Sequence, residues 1–183
     1  AGLAVENKKP VVAIYSTFLQ RAYDQLIHDV AIQNLDITFA LDRSGLVGED
    51  GPTHSGNYDI AYLRCIPNII ICTPSDENET RHLLTTAYLY KGPAAVRYPR
   101  GIGPNAKVDK ELESYEIGKS KIIYDENSKN IILNFGALID QAKEVAQDLK
   151  LTLIDMRFVK PLDEEILHKY LSKSDTFISI EDG

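Results

Sequence analysis

The chain has 183 residues, 44% of them hydrophobic and 26% charged, and its formal net charge is −7. This negative charge, with no local cluster of lysine and arginine, argues against a general nucleic-acid binder. No apolar run approaches the ~20 residues needed to cross a bilayer, and no secretion signal is recognisable, so we expect neither nucleic acid nor a membrane as a partner. Cys65 and Cys72 lie in apolar surroundings and are expected to be reduced core residues of a cytosolic protein.

The first hundred residues predict alternating strands and helices. Short, bounded apolar runs that indicate buried strands occur at residues 11–15, 37–41, 69–72 and 94–98. Segments predicted to be helices occur at residues 18–32, at 59–65 and from about 76 to 90. Ser16 or Thr17 is the expected N-cap of the first of these helices, and Asp76 with Glu79 resembles a capping box for the last. Such an order is typical of an α/β fold with a right-handed parallel sheet.

A second, smaller α/β unit is predicted at residues 119–183. Residues 101–118 lose apolar periodicity and indicate an interdomain linker. The strands that we expect at 119–124 and 130–134 flank a polar turn and predict a hairpin. A helix, a strand, a helix and a strand are then predicted at residues 139–149, 151–155, 163–171 and 176–180. Because residues 1–5 look like the end of a helix and the chain stops soon after its last strand, we expect a fragment of a longer enzyme.

Polar side chains follow the predicted strands of the first unit. Tyr15 ends the first strand, while Arg43 and Arg100 come just after the ends of two others. The carboxyl ends of parallel strands share one edge of a sheet, and ligands of open α/β sheets bind there. Two guanidinium groups at that edge would favour a phosphate or carboxylate ligand. Arg97 lies within its strand, and we expect a structural role for it.

Other candidate residues have structural alternatives. Asp50 and His54 lie four residues apart in the glycine-rich loop predicted at residues 42–57, and could form an acid/base or substrate-orienting pair. A lone histidine in a loop is also commonly a surface residue. Arg21 and Asp24 are spaced for a simple salt bridge on a helix, and Phe18 could belong to the core instead of supporting a cofactor.

One pattern superficially suggests a metal site. Gly48-Glu-Asp-Gly51 followed by Asn78 is reminiscent of the Gly-Asp-Gly…Asn sequence that binds magnesium and diphosphate in thiamine enzymes. The order here is Glu-Asp-Gly, however, and Asn78 lies in the first turn of a predicted helix. We therefore expect no metal ligands in this chain.

Several continuous motifs resemble a single family over essentially the whole chain. They are IYSTFLQRAYD (14–24), GEDGPTH (48–54), YLRCIP (62–67), TPSDENE (73–79), AVRYPRG (95–101), NFG (134–136) and DMRFVKPLD (155–163). In this order and at this length they closely resemble motifs of the 1-deoxy-D-xylulose-5-phosphate synthase family.

The resemblance implies a transferase that depends on thiamine diphosphate and Mg²⁺. Such an enzyme decarboxylates pyruvate and joins the two-carbon unit to glyceraldehyde 3-phosphate, in the biosynthesis of isoprenoids and of thiamine and pyridoxal precursors. It is expected to be a homodimer located in the cytoplasm, or in the plastid if the source is a plant. Residues 1–100 would be an N-terminally truncated pyrimidine-binding domain, 101–118 a linker, and 119–183 a truncated C-terminal domain of transketolase type.

The resemblance also implies roles for individual residues. Phe18 would pack against the pyrimidine ring, and Tyr15 and Arg21 would help to hold cofactor and substrate. The positions expected to be catalytic are Tyr15, Arg21, Asp50 and His54, and those expected to bind the substrate phosphate are Arg43 and Arg100. The domain that carries the magnesium site, and a catalytic glutamate, would lie outside this chain. We therefore expect the fragment to be inactive and to bind neither thiamine diphosphate nor Mg²⁺ tightly.

Two other interpretations stay open at this point. The parent could be another thiamine-diphosphate enzyme, such as a transketolase or the β-subunit of a 2-oxoacid dehydrogenase. The chain could also be a non-catalytic remnant that only packs or dimerises through surface meant for a missing domain.

Overall fold

Nine strands form two sheets in the computed structural model, which describes residues 1–183. The strands are β1 (Val11–Tyr15), β2 (Thr38–Ser44), β3 (Ile70–Cys72), β4 (Ala94–Pro99), β5 (Lys121–Tyr124), β6 (Asn130–Phe135), β7 (Thr152–Asp155), β8 (Phe158–Lys160) and β9 (Thr176–Glu181). The helices are α1 (Gly2–Val5), the helical segment α2 (residues 16–31), α3 (Asp59–Arg64), α4 (Glu77–Leu89), α5 (Ile139–Leu149) and α6 (Glu164–Leu171). None of these helices has the length and the hydrophobicity that a membrane-spanning helix requires.

The first sheet has the strand order β1-β2-β4-β3-β8, and β1 to β4 are all parallel. This confirms the predicted α/β fold with a parallel sheet. Leu41, Ile71 and Val96, one from each of three neighbouring strands, have no exposed surface. Strands covered on both faces by helices require such continuous apolar runs, and this explains why their positions could be predicted from the sequence.

The last strand of the first sheet comes from the second unit. β8 pairs antiparallel with β3, and Phe158 packs with the core residues Cys72, Leu83 and Val96 of the first unit. No strand was predicted here, because three residues are too short to show a period. The chain therefore crosses back to the first sheet before it continues to α6.

The second sheet has the order β5-β7-β6-β9. β6 is parallel to both β7 and β9, while β5 is antiparallel to β7. The predicted hairpin of β5 and β6 is therefore wrong, because β7 lies between them. The short turn that connects β5 and β6 permits a hairpin but does not require one. β7, in which every residue is buried, lies between the two strands instead.

The helical segment α2 is irregular where one continuous helix was predicted. It is composed of the turns Ser16–Leu19, Gln20–Ala22, Tyr23–Gln25 and Leu26–Ala31. The last of these has π-helical hydrogen bonds, with the amide of Ile32 bonded to the carbonyl of Ile27. The predicted N-cap is also wrong. Tyr15 occupies the cap position without a side-chain bond, Ser16 Oγ has no partner, and Thr17 Oγ1 donates to the carbonyl of Thr53.

The glycine-rich loop begins later than predicted and is more ordered than its composition suggests. β2 continues through Ser44 by way of a bulge, so that Arg43 lies inside the strand. The loop then contains two 3₁₀ turns, Gly48–Asp50 and Pro52–His54. Gly45 and Gly56 pair through two backbone hydrogen bonds of 2.9 and 2.8 Å and close the base of the loop.

Residues 101–118 form no strand or helix, but they pack along α4. Asn78 Nδ2 donates to Asp109 Oδ2 and Asp109 N donates to Asn78 Oδ1, at 2.8 and 2.9 Å. The buried His82 accepts the amide hydrogen of Glu113 at Nδ1. Side chains of α4 thus supply hydrogen-bond partners to backbone groups of this segment, which has no strand or helix of its own.

The capping box at α4 is half formed. Asp76 accepts the amide hydrogen of Glu79 at 2.8 Å, as predicted, but the Glu79 carboxylate bonds Arg157 and Tyr115 and does not return to the cap. Both cysteines are free thiols. Cys72 is buried as expected, whereas Cys65 is exposed and does not belong to the core.

Candidate functional site

The candidate site lies where β1, β2 and β4 end next to one another. These three strands are neighbours and parallel, so their carboxyl ends share one rim of the first sheet. Tyr15 ends β1, Arg43 lies in the bulge of β2, and Arg100 directly follows β4. Arg43 has a φ of 57°, a left-handed conformation that is uncommon for a residue other than glycine.

Arg43 and Arg100 meet at one carboxylate. Arg43 Nη1 forms an ion pair with Asp50 Oδ2, and Arg100 Nε lies 2.9 Å from the same oxygen. Glu49 adds a second carboxylate to Arg100 at 2.5 Å. The structure therefore brings together two arginines from different strands around a single anionic group, next to Tyr15, whose ring lies 4.3 Å from the Arg43 guanidinium carbon.

Three rings form an aromatic cluster beside the arginines. Tyr15 and Phe18 stack with their centroids 5.0 Å apart, and His54 meets Phe18 edge-on at 5.5 Å. Phe18 is 46% exposed, so it does not belong to the core. A stacked ring that leaves so much apolar surface open can accept another planar ring.

The loop that carries Asp50 and His54 is anchored to the start of α2. Thr17 Oγ1 donates to the carbonyl of Thr53, and Thr53 Oγ1 lies 3.1 Å from His54 Nδ1. With Nδ1 in contact with Thr53, the other ring nitrogen of His54 has no protein partner. Asp50 and His54 thus lie beside the arginines and the aromatic cluster, but Asp50 bonds the arginines and not the histidine.

Arg21 stands apart from this arrangement. It is exposed, forms none of the ion pairs of the structure, and does not pair with Asp24 despite the favourable spacing. The irregular turn Gln20–Ala22 changes the side-chain directions that a regular helix would give.

A buried charge network lies directly beneath the rim. Arg97 Nε is 3.1 Å from both oxygens of Asp59, and Arg97 Nη1 is 2.6 Å from Asp182 Oδ1. Ser44 Oγ donates to Asp59 Oδ2 at 2.8 Å. Arg97 is structural, in keeping with our interpretation of the sequence. Its partners were missed, because nothing in the pattern of α3 marks Asp59 as buried.

A phenol near the end of β4 has a raised pKa. Burial and the nearby charge of Asp42 raise the pKa of Tyr98. Next to it, Tyr98, Pro99 and Ala137 line a cavity of about 240 Å³ between the two units. The rim therefore combines two arginines that are paired with carboxylates, an open aromatic face and a phenol. No group of three His, Cys, Asp or Glu side chains in residues 1–183 is placed to hold a metal ion.

The chain is similar to bacterial proteins over its whole length. It is 59% identical over 183 residues to the 1-deoxy-D-xylulose-5-phosphate synthase of Pseudomonas fluorescens (strain Pf0-1), and covers 29% of that protein. It is also 59% identical to the synthase of the same name from Hahella chejuensis, of which it covers 28%. The chain thus spans less than a third of the length of these relatives.

Solved structures of low identity share the fold. A structure described as a split gene transketolase, inactive beta4 tetramer, superposes with a TM-score of 0.87 at 23% identity, over 98% of this chain and 60% of that one. A transketolase mutant from Pichia stipitis superposes with a TM-score of 0.72 at 19% identity, over 93% of this chain and 26% of the other.

Two family models match consecutive parts of the chain. The model of the transketolase pyrimidine binding domain matches residues 1–105, which contain the rim with its arginines and aromatic cluster. The model of the transketolase C-terminal domain matches residues 118–183. The chain therefore belongs to the transketolase family of thiamine-diphosphate enzymes, and contains a pyrimidine-binding domain followed by a C-terminal domain.

Proposed function

We propose that this chain serves a 1-deoxy-D-xylulose-5-phosphate synthase, in which it holds the acceptor phosphate and the cofactor's pyrimidine ring. The reaction decarboxylates pyruvate and transfers the two-carbon unit to glyceraldehyde 3-phosphate. The observation that carries the proposal is the convergence of Arg43 and Arg100 on one carboxylate. Two guanidinium groups aimed at one point favour a phosphate monoester, which offers each of them acceptor oxygens.

In this proposal Asp50 occupies the place of the substrate phosphate. Its carboxylate, together with that of Glu49 at Arg100, balances the two guanidinium charges while no ligand is bound. A phosphate monoester carries a larger negative charge and more acceptor oxygens than a carboxylate, so it can replace Asp50 at both arginines. Asp50 then turns towards the reacting end of the substrate, on the side where His54 lies in the same loop.

The aromatic cluster is proposed to hold thiamine diphosphate. The open face of Phe18, backed by Tyr15, fits a planar pyrimidine ring, and Arg21 is assigned to the same ligand by family resemblance. When bound, this cofactor supplies the electron sink that lets a 2-oxo acid lose carbon dioxide. His54, held at Nδ1 by Thr53, presents its other nitrogen to hold or accept a substrate proton.

Magnesium, the diphosphate and the catalytic glutamate are proposed to bind or lie in other parts of such an enzyme. The chain alone is therefore expected to bind thiamine diphosphate weakly and to turn over no pyruvate. Calorimetry with thiamine diphosphate and magnesium, and an assay for 1-deoxyxylulose 5-phosphate, check both statements. Micromolar affinity or measurable product would contradict them.

The phosphate assignment can be tested in a chimera in which this chain replaces the matching 183 residues of the Pseudomonas fluorescens synthase. Arg43→Met and Arg100→Met should each raise KM for glyceraldehyde 3-phosphate by roughly 10- to 100-fold, because each removes a charge-assisted bond. KM for pyruvate should stay the same.

Arg64→Met is the matched control, since Arg64 is exposed and its side chain takes part in no ion pair. An unchanged KM for the triose phosphate in both site variants would contradict the assignment. It would mean that other residues hold the phosphate of the acceptor.

For the whole protein we further propose a cytoplasmic homodimer that serves isoprenoid, thiamine and pyridoxal precursor biosynthesis. The test is whether the chimera restores growth to a bacterium that lacks its own synthase. Failure of an active, well-expressed chimera to restore growth would contradict the biosynthetic role, and a monomeric mass in sedimentation would contradict the dimer.

A further inference from the structure

The direction of Arg43 depends on one extra residue in β2. Leu41 lies opposite Arg97 and Ser44 opposite Pro99. Two residues of β2 therefore lie opposite a single residue of β4. The bulge that results places Arg43 at a φ of 57°. A bulge re-aims side chains, but its left-handed residue is strained unless neighbouring contacts hold it.

Asp59 supplies contacts on both sides of this bulge. After it, Ser44 Oγ donates to Asp59 Oδ2 at 2.8 Å. On the neighbouring strand β4, Arg97 lies opposite Leu41, the residue before the bulge. Arg97 Nε donates to both oxygens of Asp59. Asp59 is 1% exposed and also accepts the amide hydrogen of Ile60 at 2.8 Å. Hydrogen bonds from three residues restrict the position of this buried carboxylate.

The backbone at Gly56 packs closely against the bulge. A Cβ atom on Gly56 would lie 2.3 Å from the carbonyl oxygen of Arg43 and 2.8 Å from Cα of Ser44. The backbone on the far side is thus pressed against the bulge, while Asp59 holds it from below.

We propose that Asp59 is a positioning residue for the anion site. Through its bonds to Ser44 and Arg97 it holds the bulge in β2. The bulge in turn directs the Arg43 side chain to the position where the Arg100 guanidinium group also lies. The effect on ligand affinity rests on the proposed function, because it presupposes that the two arginines bind a phosphate. Asp59 itself touches no ligand.

The test compares variants of the 183-residue chain in their affinity for inorganic phosphate, measured by NMR titration. Ser44→Ala removes the bond to Asp59 together with the 3.3 Å bond from Ser44 Oγ to the carbonyl of Leu41, and it leaves the Asp59–Arg97 ion pair intact, so the chain should still fold. We expect phosphate affinity to fall by about 5-fold in Ser44→Ala, and by at least about 10-fold in Asp59→Asn.

Glu79→Gln is the matched control. Glu79 is also a buried carboxylate that binds an arginine through two bonds, in this case Arg157 at 2.8 Å, but it forms no ion pair with Arg43 or Arg100. The Glu79→Gln variant should be destabilised as Asp59→Asn is, but it should bind phosphate with the affinity of the wild type. Equal losses of affinity in both carboxylate variants would mean a general loss of structure and would overturn the proposal.

A second measurement keeps the positioning role separate from the ligand. The ¹³Cα and ¹³Cβ shifts of Arg43 report its left-handed backbone, and they should move to ordinary strand values in Asp59→Asn and stay unchanged in Glu79→Gln. If the wild type binds no phosphate, the proposed anion site fails, but these shifts still decide the role of Asp59. Unchanged Arg43 shifts in Asp59→Asn, or unchanged phosphate affinity beside a wild type that binds, would refute it.

Discussion

Arg43 and Arg100 reach Asp50 from two neighbouring parallel strands. Their meeting could be predicted from the sequence, because parallel strands that end together deliver the next residues to one rim. The bulge could not be predicted, since it depends on Asp59, a residue of another element. Nor could the carboxylate between the two arginines, because the loop folds back only through the Gly45–Gly56 pair.

A second buried carboxyl group, Asp155, predicts how stability varies with pH. Burial, and then the charge of Glu79, raise its pKa to about 6. The folded chain therefore binds this proton more tightly than the unfolded chain does, and stability is lost as the pH rises from about 4 to about 6. Asp155→Asn should raise the free energy of unfolding at pH 8 by up to about 3 kcal/mol, and change it little at pH 4.

Urea unfolding of both proteins across this pH range measures the difference. Neither Asp155 Oδ1 nor Asn134 Oδ1 has a partner, so the new amide can also donate to its neighbour. Asp163→Asn serves as a control of opposite sign. Burial opposes ionisation of Asp163, but hydrogen bonds from Ser120 and Ile166 lower its pKa, so this variant should be less stable at neutral pH. A gain for Asp155→Asn that is independent of pH would contradict the argument.

At the scale of elements, local patterns predicted the strands better than their partners. β5 and β6 were placed correctly, but the position of β7 between them depends on pairing over a long sequence distance. β8 was missed, because only its contacts with β3 distinguish it from a loop. The segment at residues 101–118 has no periodicity of its own, and its bonds to α4 come from polar side chains that a helix normally presents to water.

The contacts of this segment predict a local change of dynamics. Asn78→Ala removes both bonds between Asn78 and Asp109, so the amide of Asp109 should exchange with solvent about 10-fold faster. Hydrogen exchange followed by NMR measures this rate, and amides in β4 should keep their protection. Thr85→Ala is the control on the same helix, since Thr85 Oγ1 bonds only the carbonyl of Arg81. Equal acceleration in both variants would mean that the helix and not the segment had loosened.

In the whole molecule, the two units share more than a boundary. Phe158 is fully buried in the core of the first unit although it follows β7 of the second. Ser75 binds Asp155 and Glu79 binds Arg157 across the same boundary, at 2.7 and 2.8 Å. We therefore expect the two units to unfold together, although the sequence alone suggested separate folding units joined by a linker.

Phe158→Ala tests this expectation. The cavity should cost about 3–5 kcal/mol, and NMR signals from β1 and β6 should disappear at the same, lower urea concentration. Ile178→Ala in β9, where the side chain is 43% exposed, should change stability by less than about 1.5 kcal/mol. Loss of the β1 signals alone, with β6 intact, would show that the units are independent.

The origin of β8 also limits how such proteins can be recombined. A gene divided between the two family domains would yield a first product whose strand β3 had lost its outer neighbour, leaving unpaired backbone amides and carbonyls beside Ile71 and Cys72. An open sheet edge of this kind is a template for pairing with other chains. Viable exchanges of the later domain among relatives should therefore keep residues 156–160 together with the domain they complete.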